Sequence, residues 1–240
     1  MTHEDREART GPVLAVFAHP DDMEIAAGGT LTKWAAAGRE VHLLVLTNGD
    51  RGSQDRELDR ADLAATRLRE TEAAADAMGL AGVRVGSIPD GELENTAPIR
   101  EPVVRRIREV RAETVVSVDP TAVFFENRYY NHSDHRTAGW VALDACFPGS
   151  GNPHFFAEQL HEGLRTQDVL DIWLGWTNEP NHQEDITGFL ATKVDALARH
   201  ESQLSEGIRF FEEFLGKEAA EAGEKIGVEH AEEFRVLDLS

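Results

Sequence analysis

Two short stretches hold the residues whose types and spacing permit chemistry. In the first, the apolar run Leu14-Ala15-Val16-Phe17-Ala18 stops at His19-Pro20-Asp21-Asp22-Met23-Glu24; in the second, an irregular aromatic segment leads into His132-Ser133-Asp134-His135. Taken singly, Asp21 or Asp22 would cap a helix, and a lone histidine would bond a nearby backbone group. Packed together at a strand end, such groups are costly to desolvate, on the order of several kcal/mol unless something compensates. Two imidazoles plus a carboxylate, with no thiolate at hand, make a three-ligand set of the kind that leaves a catalytic zinc one open position. Water at that position is acidified towards a pKa of about 7, and the ion polarises the carbonyl it attacks. Histidines and carboxylates left over transfer protons and stabilise the oxyanion. Together these groups fill every role in metal-assisted amide hydrolysis.

The surrounding pattern supplies elements to position these groups. Val13 to Ala18 reads as a buried strand, and Ile25 to Ala37 as an Ala-rich helix closed by Gly38. Val41 to Thr47 is a second strand, so strand, helix and strand within about 35 residues form a βαβ unit with parallel pairing. Leu58 to Met78 predicts a long helix stopped by Gly79, and Val83 to Ile88 a third strand ending at Pro89-Asp90-Gly91. Ile99, Val103, Ile107 and Val110 place one apolar face on a helix before a fourth strand at Thr114 to Val118. Beyond the aromatic stretch 121–131, Arg136 to Cys146 is helix-compatible with Trp140 and Val141 inward, and Pro148 to Pro153 reads as a loop. Val169 to Trp176 is a further strand, Glu179 to Glu184 a polar loop, and Thr187 to Leu204 a helix. The last amphipathic helix runs through Ile208, Phe211, Leu215, Ala219, Ala222 and Ile226, and either covers the sheet or meets another subunit. Strands ending in polar residues and alternating with helices predict a Rossmann-like α/β fold: a doubly wound, mostly parallel sheet with helices on both faces and its site along one edge.

Length and composition narrow the classes. The 240 residues suit a polar leader over 1–11 and a single α/β domain over 12–240. Lys and Arg total 24 against 44 Asp and Glu, a formal charge of −20, which argues against nucleic acid and anionic membrane surfaces as partners. Cys146 is the only cysteine, so neither a disulfide framework nor a cysteine-based zinc site is available, and a reducing compartment is expected. With no apolar signal segment and no run near the roughly 20 residues of a membrane span, the expected location is the cytoplasm.

The segment Ala18-His19-Pro20-Asp21-Asp22-Met23-Glu24 resembles the AHPDDxE signature of the PIG-L/LmbE-like deacetylases, zinc-dependent enzymes that remove an N-acyl group, usually acetyl, from glucosamine-containing molecules. Further matches fall in the family's order: Thr47-Asn48-Gly49, Arg67 and Glu70, Pro89-Asp90-Gly91, His132-Ser133-Asp134-His135, and Lys193 through His200-Glu201-Ser202-Gln203. The resemblance implies one Zn2+ per chain on His19, Asp22 and His135, with Asp21 as the general base. It makes His132 the cation that steadies the oxyanion and Asp134 the holder of its ring. Arg67 and Asp90 resemble sugar-binding positions, although an Arg and a Glu three apart on a helix also pair with each other. Tyr130, two residues before His132, is a candidate pocket wall. Ser133 stands where the family often has Pro, Glu24 is expected to be structural at the helix start, and His200 is expected to be satisfied in the core. The substrate implied is an N-acetylated amino sugar, and relatives that assemble make a homo-oligomer plausible.

Other readings fit less well. No G-x-G-x-x-G follows the first strand, and Gly28-Gly29 lies inside the helix, against a dinucleotide enzyme. No G-x-S-x-G occurs, against a serine hydrolase. A mononuclear-metal hydrolase of another amide or ester, or a non-catalytic sugar-binding protein, stays open, although a pure binder has no need of Asp21. A two-metal phosphoesterase would need more ligands than the three placed here.

Overall fold

The first apolar run forms β1 (Val13–Phe17), buried along its whole length, in a computed structural model that describes residues 9–204 and 207–240. The expected polar leader lies outside the described residues as far as residue 8. Arg9 and Gly11, its last part, are already docked: Arg9 Nη1 meets Asp171 Oδ2 at 3.1 Å, and Gly11 O accepts from Arg39 Nε at 3.1 Å.

After β1 come α1 (Asp22–Ala36), β2 (Val41–Thr47), α2 (Arg60–Met78), β3 (Gly82–Ile88), α3 (Ala97–Val110) and β4 (Thr114–Val118). Asp59 accepts from the amides of Ala61 and Asp62 to start α2, and Gly79 closes it with φ 72°. A small hairpin, β5 (Phe124–Phe125) and β6 (Tyr129–Tyr130), precedes α4 (Ser133–Asp144) and a wide turn over Ala145–Ser150. The chain closes with α5 (Ala157–His161), β7 (Asp171–Gly175), β8 (His182–Asp185), α6 (Leu190–Leu197), α7 (Ile208–Glu224) and β9 (Ala231–Asp238).

The main sheet has seven strands in the order β3-β2-β1-β4-β7-β9-β8. Five are parallel, with Val13 opposite both Val41 and Thr114, and Thr114 opposite Asp171. Alternating side chains feed two cores, one on each face. Val13, Ala15, Phe17, Leu43 and Val45 join Leu31, Ala74 and Met78 of α1 and α2. Leu14, Val16, Leu44, Val115 and Ile172 join Val103 and Ile107 of α3 and Val141 of α4. The strand order reverses direction between β1 and β4, the crevice where open α/β sheets bind ligands. The His19 and His132 loops leave from these two adjacent strands.

Several local expectations differ from the structure. The last two strands pair antiparallel, β9 with β7 and with β8, and β8 occupies the end of the expected polar loop. β9 escapes a period-2 reading because Glu232, on the same face as Phe234 and Val236, is buried. Trp140 is 45% exposed rather than inward, since Ala138, Val141, Ala142 and Ala145 fill the buried stripe and position 140 falls outside it. Part of the expected loop at 148–153 is instead the wide turn ending at Ser150. The expected helix over 187–204 breaks after α6 into a short 3-10 turn at Glu201–Gln203, where His200 turns into the core. Among the described residues no helix is long and apolar enough to cross a membrane.

Candidate metal centre

The end of β1 is shaped to present three side chains at once. Thr47 N and Oγ1 both donate to Ala18 O, at 2.9 and 2.8 Å, which ties the loop to β2. The backbone then reverses through Asp21 at φ 98°, a left-handed conformation that Asp tolerates better than most residues, so that α1 begins at Asp22. Asp22 sits in the first turn of α1, where the helix dipole favours a negative charge, and its Oδ2 accepts from His19 N at 2.8 Å.

His135 reaches the same point from the first turn of α4. Its Nδ1 lies 2.9 Å from Asn131 Oδ1, and Asn131 Nδ2 donates to Ala122 O, which fixes the amide's orientation and places the His135 proton on Nδ1. His135 Nε2 therefore points a lone pair at His19 Nδ1 (3.1 Å) and Asp22 Oδ1 (3.1 Å), and His19 Nδ1 is 3.5 Å from Asp22 Oδ2. On its far side His19 Nε2 faces Asp90 Oδ1 at 3.1 Å and Asp134 Oδ2 at 3.3 Å. His19 Nδ1, His135 Nε2 and the Asp22 carboxylate thus converge within about one hydrogen-bond length of one another.

That triangle fits a cation. Bonds of about 2.0–2.2 Å to a tetrahedral zinc place neighbouring ligand atoms about 3.3–3.6 Å apart, close to the separations here. The electrostatics agree. Burial works against charge on His19, yet Asp22, Asp134 and Asp90 push its imidazole up to about 12. Burial likewise opposes charge on Asp22, but His135 and His19 hold its carboxyl well below the usual range. His19 also groups with His132 and His135, and separately with Asp90 and Asp134, at distances a metal ion could bridge.

The remaining expected residues surround the triangle, some in other roles. Burial, with Asp22 beside it, pushes the Asp21 carboxyl up to about 6 against the pull of Arg67. Asp21 Oδ2 accepts from Arg67 Nη2 at 3.2 Å, and its side chain remains 21% exposed. Arg67, only 3% exposed, also donates to Pro20 O and, at 3.1 Å, to Gly49 O. It is the prop beneath the loop rather than an open sugar-binding group. Gly49 and Gly52 leave room for it, since a Cβ on either would come within 2.6 Å of its guanidinium. The pairing of Arg67 with Glu70 does not form; Glu70 holds Ser202 N and Oγ at 2.8 and 2.7 Å.

His132 caps α4, its Nδ1 accepting from Asp134 N at 3.2 Å. The Asp134 backbone, not its carboxylate, holds that ring; the carboxylate lies on His19 and takes Gly91 N at 2.7 Å. Burial and the neighbouring His19 and His135 lower the His132 pKa. Asp90 does not stand open for a sugar either, since His19 occupies one of its oxygens and Asp50 Oδ1 takes its amide at 3.0 Å. Tyr130 is 69% exposed. Tyr129, on the other face of the same strand, is the one whose hydroxyl feels burial, the Asp22 charge and the His132 backbone. Strand alternation is the signal that separates them. Asn131, missed in the sequence, stands four residues before His135, the spacing of one helical turn.

The loop geometry and the crevice of a Rossmann-like sheet bring together His and Asp side chains that could hold a metal ion. The profile of the PIG-L family, described as GlcNAc-PI de-N-acetylase, matches residues 14–146. The chain belongs to that family. It is 33% identical over 226 residues to the diacetylchitobiose deacetylase of Thermococcus kodakarensis, covering 94% of this chain and 82% of the relative. It is 34% identical over 238 residues to the 1D-myo-inositol 2-acetamido-2-deoxy-alpha-D-glucopyranoside deacetylase of Mycolicibacterium smegmatis, covering 80% of each. Among solved structures, N,N'-diacetylchitobiose deacetylase from Pyrococcus horikoshii, complexed with its inhibitor MPG, superposes with a TM-score of 0.89 at 31% identity, covering 98% of this chain and 86% of that one.

Proposed function

We propose that the chain is a zinc-dependent N-deacetylase that removes an acetyl group from a glucosamine-containing small molecule. The observation that carries this reading is the triangle of His19 Nδ1, His135 Nε2 and the Asp22 carboxylate, with the partly exposed Asp21 carboxylate beside it. The deacetylase names of the relatives support it. One zinc held by His19, Asp22 and His135 supplies Lewis acidity and lowers the pKa of water towards about 7.

Asp21 accepts the proton of the attacking water, and a carboxyl pushed up to about 6 suits a base working near neutral pH. Arg67 keeps that carboxylate aimed. As the water oxygen bonds to the acyl carbon, charge gathers on the former carbonyl oxygen. His132, its Nδ1 occupied by the Asp134 amide, has Nε2–H free to donate to that oxygen. Asp21 returns its proton to the amine as the carbon–nitrogen bond breaks, giving acetate and a free amino sugar. Asp90 and Asp134, beside His19 Nε2, help to orient its ring.

Metal analysis of the purified protein, joined to an acetate-release screen over N-acetylated sugars, tests the proposal; one zinc per chain and release from an N-acetylglucosaminide are expected. Asp21→Asn should keep its zinc while kcat falls by about 10²–10⁴-fold. Near-full turnover in that variant would remove Asp21 from the mechanism.

A further inference from the structure

Two segments far apart in the chain, the middle of α2 and the turn at Glu201–Gln203, are joined to each other and through Arg67 to Asp21. Arg67 and Glu70 stand three residues apart on α2 and share a face, yet each takes a different partner. Arg67 grips the β1 loop and the β2 loop, at Pro20 O, Asp21 Oδ2 and Gly49 O. Glu70 grips the turn, with Oε1 accepting from Ser202 N at 2.8 Å and Oε2 from Ser202 Oγ at 2.7 Å. None of the three residues of the turn is buried, so apolar packing does not hold them. A carboxylate taking two bonds at once fixes both position and orientation.

The grip is handed on. Ser202 Oγ, which donates to Glu70, accepts from Gln203 Nε2 at 3.0 Å, and the other end of that amide, Oε1, stands at Gly52. Gly52 is where turn and prop meet: a Cβ there would lie 2.5 Å from Arg67 Nη1 and 2.6 Å from Gln203 Oε1. On the other flank of the turn, His200 sets Nε2 3.3 Å from Glu24 Oε1 in the first turn of α1. The turn therefore braces α1, which begins beside Asp21, and the β2 loop, which Arg67 ties to Asp21.

We propose that Glu70 is a positioning residue for Asp21: by clamping Ser202 it seats the turn against Gly52 and Arg67, and Arg67 so confined keeps the Asp21 carboxylate aimed. This rests on the deacetylase reading for what Asp21 does, and adds a device that holds it from outside the metal centre. The bonds of Glu70 go to Ser202, so its effect on the reaction is through geometry. Misplacing a reacting group by about 1 Å costs on the order of 10²-fold in rate. Charge would act differently, since an anion three residues from Arg67 also pulls on the guanidinium. Glutamine separates the two: its amide accepts from Ser202 N and donates to Ser202 Oγ, but carries no charge.

The test measures zinc content, kcat and KM for acetate release from diacetylchitobiose in wild type, Glu70→Ala, Glu70→Gln and Ser202→Ala, well below their thermal midpoints. Glu70→Ala should keep one zinc per chain and a KM within about twofold of wild type, while kcat falls about 10- to 100-fold. Glu70→Gln should return kcat to within about threefold of wild type. A lowered thermal midpoint with kcat unchanged would make the clamp part of the fold alone and overturn the proposal. Failure of glutamine to restore kcat would overturn it too, in favour of charge. Amide hydrogen exchange over residues 18–24 and 48–52 of the zinc-loaded proteins keeps the two proposals apart. Faster exchange in Glu70→Ala, restored in Glu70→Gln, supports the clamp even if wild type releases no acetate, which would sink only the deacetylase reading. Exchange unchanged in Glu70→Ala overturns the clamp whatever the turnover. Should Glu70→Ala not fold, Ser202→Ala, which keeps the amide bond to Glu70 and loses the relay to Gln203, decides: a smaller fall in kcat with faster exchange over 48–52 supports the clamp, and wild-type behaviour overturns it.

Discussion

Helix α1 meets two buried polar clusters of opposite character. Beside its middle, Lys193 Nζ donates to Ile25 O at 3.0 Å and to Glu232 Oε1 at 2.6 Å, while Glu232 accepts from Gly29 N and Thr30 N at 2.9 and 2.8 Å. Each of these donors meets an acceptor. Gly28 and Gly29 make room for this packing, because a Cβ at Gly28 would lie 3.0 Å from Lys193 Cγ and one at Gly29 2.6 Å from Ile186 Cδ1. At the N-terminus of the same helix, the carboxylates of Asp22, Asp90 and Asp134 crowd His19, and negative charge is in excess. Burial is similar in both places. What separates a scaffold from a site is the donor and acceptor balance: a closed cluster has no vacancy to fill, whereas an open one is stable only around a positive charge.

Removing one leg of the open cluster gives the largest expected effect. His135→Ala should lose zinc and turnover together while the thermal midpoint of the metal-free protein stays near that of metal-free wild type. Retention of stoichiometric zinc would place the ion elsewhere. The closed cluster should behave in the opposite way. Glu232→Ala leaves Lys193 buried without its partner and should cost about 3–5 kcal/mol in urea unfolding with one zinc still bound. If that variant folds normally but loses metal, the two clusters are not independent. A smaller effect is expected where the clusters' supports differ: Asp134→Asn weakens the carboxylate grip on His19 Nε2 and should lower zinc affinity about 10–100-fold. A chelator competition measures it.

The two ends of α1 also differ in how far the sequence discloses them. His19, Asp22 and His135 were legible because short spacing and an abrupt end to an apolar strand are local signals. The topology was legible for the same reason through β4. The supporting contacts were not. Arg67 and Asp134 carry suitable chemical groups for the roles expected of them, but which partner each takes depends on how α2 and the loop after β3 pack against the β1 loop. Likewise Glu232 masks β9, since an inward carboxylate reads as a surface residue until Lys193 and the α1 amides are seen around it. Tyr129 and Tyr130 lie on the two faces of a two-residue strand, a register that the spacing from His132 does not disclose.

A third contact on α1 offers a finer test of the same contrast. His200 is fully buried, with Nε2 3.3 Å from Glu24 Oε1, one turn along from the open cluster. Burial disfavours its charge, but Glu24, helped by Asp21, raises the imidazole pKa above its ordinary value. An unfolded histidine titrates at about 6.5. Between that value and the raised one, the folded chain binds more protons than the unfolded chain. The stabilisation is therefore complete below about pH 6.5 and is lost as pH rises through the folded pKa. Urea unfolding of the metal-free protein at a series of pH values between about 6 and 9 should show stability falling across this window, and His200→Asn should flatten that part of the slope. Parallel slopes in the two proteins would mean that His200 is neutral in the fold, leaving Glu24 a second unbalanced carboxylate on the helix and weakening the division between an open end and a closed middle.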